Sequence, residues 1–144
     1  MAVDAILGLS SRFYYSTDGS SYTELTDMLE MPTVPDPTVE TPEATPFNPT
    51  SYSREYLAGL IDYGSFTFKQ FWNKTRYTTL RGRLRTNTYF RFVYPDNATP
   101  ANASKEEVYT VVTKVRPDGI SKSAPIGIQV EAKVTGVSTF TAGS

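Results

Sequence analysis

The most regular alternation in the chain lies near its end. In "APIGIQVEAKVTGVSTF", residues 124–140, Ile126, Ile128, Val130, Ala132 and Val134 share one side, and Gly127, Gln129, Glu131, Lys133 and Thr135 share the other. A period of two predicts a strand with one face on a core and one in water or against another chain. "SFTFKQFWN", residues 65–73, places Phe66, Phe68 and Trp72 beside Gln70 on one face, and Phe71 beside Thr67 and Lys69 on the other. Aromatic residues on both faces predict a central strand. "SSRFYYSTDGSSYTELTDMLEM", residues 10–31, predicts a hairpin. Phe13 and Tyr15 alternate with Arg12, Tyr14 and Ser16, Asp18-Gly19 supplies the turn, and a second strand runs from Tyr22 towards Met31. "TYFRFVYP" and "EVYTVVTKVRP" add two strands rich in aromatic and β-branched residues, separated by the polar loop "DNATPANASKE".

"NKTRYTTLRGRLRT", residues 73–86, has two readings. Tyr77, Leu80 and Leu84 fall at helical spacing, with Asn73 or Thr75 as cap. Leu80, Gly82 and Leu84 also alternate with Arg81, Arg83 and Arg85, as in a strand. The helix is preferred, although Gly82 inside it would cost about 1 kcal/mol. These elements predict a mainly β fold: a sandwich or part-open barrel with one flanking α-helix and a long extended loop.

That loop is residues 32–50, "PTVPDPTVETPEATPFNPT", with six prolines and no glycine. Proline fixes φ and pushes the preceding residue towards extended geometry. Fully extended, the stretch would span about 60 Å, beyond a domain about 35–40 Å across. Only 31 residues precede it and no cysteine could staple them, so it reads as an excursion within one domain, residues 1–144, rather than a linker between two. Val34, Val39 and Phe47 give it apolar side chains to dock, and its backbone is expected to have few local partners and so to be mobile in the single chain. The same composition also fits a floppy acidic surface loop. "SYSREYLAGLIDYG", which follows, predicts a short helical turn at Arg54–Leu57 ending near Gly59.

Cysteine and histidine are both absent. That removes serine–histidine triads, thiol catalysis and ordinary zinc sites. Glu106 and Glu107 are adjacent, but on a strand they face opposite ways, which does not suit paired carboxylate chemistry. No enzyme activity, metal or cofactor is expected. "MAVDAILGLSS" lacks the basic start of a signal peptide, and no apolar run approaches a membrane span, so a soluble protein made in a cytoplasm is expected.

The net charge of −1 hides two opposed regions. Residues 1–53 hold eight acids against the single base Arg12, whereas residues 63–95 hold seven bases and no acid. Three readings follow: internal pairing, head-to-tail association of copies, or nucleic acid on the basic region. Arg76, Arg81, Arg83 and Arg85 are the candidate charge-complementary interface.

The order of these pieces resembles a known family. "RFYYSTDGSSYTELTDMLEMPTVPDPTVETPEATP", then "SYSREYLAGLIDYGSFTFKQFWN", then a strand ending "VTGVST" is similar to the major tail tube protein of long-tailed, non-contractile bacteriophages, in its small single-domain form. The resemblance implies a β-sandwich that forms hexameric rings stacked into a tube, with inner sheets joined around a lumen. It implies a virion protein made in the host cytoplasm. Its partners would be its own copies, a tape-measure protein in the lumen, tail-tip or baseplate initiator and tail terminator proteins, and DNA in transit without sequence-specific binding; no membrane is implied. Residues 32–50 become an inter-subunit arm, with Val34, Pro35, Asp36, Val39, Glu40, Phe47 and Asn48 as contacts. Gln129, Glu131, Lys133 and Thr135 become the candidate lumen face. Two departures stand out. "TPFNPTSYS" replaces the threonine- and serine-rich segment of many relatives, and the candidate lumen face is mixed in sign where relatives are often acidic. The alternative is a non-enzymatic sandwich binding module of baseplate, capsid-decoration or carbohydrate-binding type.

Overall fold

The computed structural model describes residues 11–45, 47, 54–136 and 138–143. The elements run β1 (Arg12–Ser16), β2 (Thr23–Glu24), β3 (Met28–Glu30), β4 (Thr38–Val39), β5 (Ile61–Asp62), β6 (Ser65–Phe71), α1 (Lys74–Arg81), β7 (Asn87–Val93), β8 (Lys105–Asp118), β9 (Gly127–Val134) and β10 (Thr139–Thr141). The main sheet has the order β2-β1-β7-β8-β9-β6-β3, with β10 added on β8, and β4 pairs β5 separately. All of these strand pairs are antiparallel. The architecture is mainly β, a sandwich with one flanking helix, as the alternation predicts.

One bent sheet makes both layers. The first half of β8 pairs with β7 and β10, and its second half pairs with β9, with a register shift between Val112 and Lys114. A bulge of this kind bends a strand and lets it serve two layers. Five phenylalanines fill the space between the layers: Phe13, Phe90 and Phe92 from one side, Phe66 and Phe68 from the other, all buried. Phe13 is their hub. It stacks on Phe90 at 5.2 Å and meets Phe68 and Phe92 at 5.0 Å. Ile128, Val130, Ala132 and Val134 close the core beneath them, as the period of two requires.

The N-terminal hairpin forms but splits. Asp18 accepts from the Ser20 and Ser21 N–H groups and the Ser16 hydroxyl, shaping the turn. Those backbone donors come first among the causes that pull its carboxyl down to about 2. Beyond Leu25, whose N–H still donates to Phe13 O at 2.8 Å, the chain leaves β1. It pivots at Asp27, whose φ is 55°, and β3 joins β6 in the opposite layer. The single second strand expected from Tyr22 to Met31 is therefore two short strands in two layers. The C-terminal strand breaks as well. Gly136 has φ 84°, and residues 139–141 pair with β8 rather than continuing β9.

Only the first half of the arginine-rich segment, Lys74–Arg81, is a helix; beyond it Leu84 makes a parallel bridge with Val112 and Arg85 has φ 63°, so Arg83, Leu84 and Arg85 are not helical. Asn73 caps the helix, its side chain accepting from the Arg76 N–H at 3.1 Å. Gly82 sits past the last helical residue, so the cost of an interior glycine does not arise. Leu80 buries into the core, with Tyr77 and Leu84 packed against it. Among the described residues no helix is long and apolar enough to cross a membrane.

Candidate assembly surfaces

The arm is half of a two-stranded ribbon. Val39 faces Ile61 and Thr38 faces Asp62. Pairing continues outward: Leu57 N–H donates to Pro42 O at 2.9 Å, Ala44 N–H to Glu55 O at 2.7 Å, and Glu55 N–H to the Thr45 hydroxyl at 2.8 Å. Glu43 and Tyr56 form an antiparallel bridge. The helical turn expected at Arg54–Leu57 is thus extended chain, and the backbone partners expected to be few are supplied by residues 54–62. Pro42 fits because the pairing uses only its carbonyl. Glu40 O accepts from Gly59 N–H while Glu40 N–H donates to Leu60 O, a two-against-one bulge. A Cβ on Gly59 would lie 3.0 Å from Glu40 O and from Glu40 Cβ, so this close approach needs glycine. Folding back shortens the reach. Residues 38–45 extend about 25 Å as a strand, not the span of a single stiff arm.

Both faces of the ribbon are apolar and bare. Alternation puts Val39, Tyr56 and Ile61 on one face, 48%, 55% and 51% exposed, and Leu57 and Leu60 on the other, 60% and 78% exposed. Phe47 is 99% exposed. A lone two-stranded ribbon is marginally stable in water, and a cluster of bare aliphatic side chains marks an interaction surface. The candidate arm contacts therefore divide. Val34 packs on the core and Pro35 is buried beside Gly64, so these two anchor the arm in the body. Asp36, Val39, Glu40 and Phe47 are exposed. Asn48 lies outside the described residues. At the base, the Asp62 carboxylate accepts from Lys133 Nζ and Gly64 N–H, both at 2.9 Å. The Lys133 hydrogen bond comes first in holding its pKa below the usual 3.8.

The outer face of the β3-β6-β9-β8 layer is a ladder of matched charges. Lys69 meets Asp118 at 3.0 Å and Glu30 at 3.7 Å, Lys114 meets Glu131 at 3.9 Å, Arg116 meets Asp118 at 3.9 Å, and Lys133 meets Asp62 at 2.9 Å. Arg116 also donates to Gln129 Oε1 at 2.7 Å. The Lys69 hydrogen bond is the main cause lowering the Asp118 pKa, and the same contact raises that of Lys69. Gln129, Glu131 and Lys133 share this face. Thr135 lies beyond the strand, its N–H donating to Tyr109 O. The partners of these side chains come from β3, β5, β6 and β8, so the sequence of β9 alone does not reveal the matching.

The four candidate arginines also divide. Arg76 is committed internally, at 3.0 Å to Asp27 and 2.6 Å to Phe71 O, and Arg83 holds Asn87 O and the Thr88 hydroxyl. Arg81 leans on Tyr77. Arg81, Arg85 and Lys74 have no carboxylate partner among the described residues. Internal pairing of the opposed regions is real but partial: Arg76–Asp27 and Lys69–Glu30 cross between them. Arg91, in none of the candidate sets, lies 3.8 Å over the Tyr22 ring beside Glu107, a contact that only the fold reveals.

No family model matches the chain, and no curated protein matches it. Solved structures do match. One is a chain of the anti-feeding prophage baseplate, 6-fold symmetrised, with a TM-score of 0.71 over 99% of this chain and 98% of that one at 8% identity. Another comes from the extracellular contractile injection system PVC, sheath/tube terminator in the extended state, at 0.70, 98%, 100% and 12%. A third is from the tail of an empty gene transfer agent particle with C6 symmetry, at 0.66, 96%, 100% and 16%. At these identities the likeness is one of fold, and it runs the length of the chain.

Proposed function

We propose that this chain is a structural subunit of a phage-like tail that polymerises as stacked hexameric rings into the tail tube, the conduit for DNA. The observation that carries this reading is the ribbon, an acidic two-stranded extension with bare aliphatic side chains on both faces. Such a surface is a liability on a solitary protein and an asset on one that assembles. The fold likeness to chains of sixfold tail and baseplate structures supports the same reading. In a ring, the matched-charge face would line the lumen, and among the described residues its layer has free edges to pair between copies: β3 is three residues long, and β8 beyond Val112 has β9 on one side only. The self-paired charges give DNA a wall with little net attraction, so it would transit without sequence readout. Tape-measure, initiator and terminator proteins are the partners this role requires, and the virion its location. The non-contractile type, inferred from the sequence resemblance, is the narrower form of the proposal.

A second reading is a ring that forms once, at an end of a tail. The likenesses to a baseplate and a terminator structure favour it. Native mass spectrometry at rising concentration tests both. Six-copy species followed by their multiples support the tube, six-copy species alone support the end ring, and monomer throughout refutes both.

A further inference from the structure

The ribbon leaves the body at one end of β6, beside Ser65. The opposite end of the same strand, about 20 Å away, carries a second bare apolar surface. Phe71 faces Gly127 across the sheet, Leu29 reaches over Gly127, and Trp72 N–H donates to Ile126 O at 2.9 Å. Leu29, Phe71, Trp72 and Ile126 are each about two-fifths exposed. Leu29 and Phe71 lie together over Gly127 on the outer face, while Trp72, its ring against Tyr77, meets Ile126 on the other side, so the four line the end of the same two strands. We infer that this patch is the receptor for the ribbon of the next copy along the tube. The inference rests on the tube reading and names the surface that completes it.

Three observations fit the two surfaces together. Both are apolar and bare on the single chain. Their unpaired charges are of opposite sign: on the ribbon Asp36, Glu40 and Glu55 have no cationic partner among the described residues, and at the strand end Asp27, Glu30 and Asp118 are matched by Arg76, Lys69 and Arg116, which leaves Lys74, next to Asn73, as the one unmatched charge there among the described residues. Their placement at opposite ends of one strand makes the contact head-to-tail. A contact between two different surfaces of identical copies propagates instead of closing on itself. A ribbon that met a second ribbon would bring acid to acid.

The chain has no cysteine and a single tryptophan, Trp72, which makes the test direct. The double variant Leu60→Cys with Trp72→Cys, oxidised under assembling conditions, should give a ladder of disulfide-linked multimers on a non-reducing gel. Each single variant should give no ladder beyond a dimer. In the unmodified chain, assembly should shift Trp72 fluorescence to the blue as the indole leaves water. Assembled particles seen by electron microscopy with neither ladder nor shift would overturn the receptor assignment and leave the tube reading standing. An absence of particles at every concentration would overturn both.

Discussion

Replacing Leu57 and Leu60 together with serine should disarm the ribbon without unfolding the body. Both side chains lie on one ribbon face, and neither belongs to the phenylalanine core. Covering a leucine fully is worth about 1.5–3 kcal/mol. With 60% and 78% of their surfaces still open, the two leucines offer about 2–4 kcal/mol to a partner. Taking the lower end, because association also costs side-chain freedom, the loss corresponds to at least a 20-fold rise in the concentration needed for assembly. Light scattering and pelleting across a dilution series would read that rise. Thermal unfolding of the dilute protein provides the control, since surface substitutions away from packed features move stability by about 0.5 kcal/mol or less. An unchanged assembly threshold would refute the docking role of this face. A large fall in stability would show that the leucines serve the body instead.

Two further outcomes follow from the packing and the charges. Phe13→Ala removes the hub of the aromatic core and should lower unfolding free energy by about 3–5 kcal/mol, measured by urea denaturation; a loss below 1 kcal/mol would contradict the central place given to that ring. The folded Asp62 pKa is depressed, so its contact with Lys133 contributes above the ordinary value of 3.8 and is lost as pH falls through the lower folded value. NMR titration should place the Asp62 carboxyl below that ordinary value in the wild type and return it towards normal in Lys133→Gln; equal values in both would remove the ribbon's electrostatic anchor.

The parts of the fold that share one core were legible in the sequence. Phe66, Phe68 and Gln70, and Ile128 through Val134, alternate because each strand has one buried side, and the Asn73 cap with Leu80 marks the helix. What the sequence hid has physical reasons. "REYLAGLID" does not alternate because neither face of the ribbon is buried in the single chain, so the usual signature of a strand is absent. The prolines before it pointed to extension but could not show that the chain returns alongside. The break after β9 turned on a single left-handed glycine, Gly136, in a run otherwise rich in β-branched residues. The charge ladder was invisible for another reason. Lys69, Asp118, Glu131 and Lys133 are distant in the chain and meet only through the register of β6, β9 and β8. Of the candidate interface, Arg76 and Arg83 looked equivalent to Arg81 and Arg85 until the fold gave the first two internal partners.

Assembly through the ribbon is tested most directly by negative-stain electron microscopy of the concentrated protein beside a variant in which residues 41–58 are replaced by Asn-Gly. Tubes of sixfold cross-section from the intact chain, and dispersed folded particles from the shortened one, are the expected result. Identical particles from both, whether tubes or monomers, would contradict the role assigned to the ribbon.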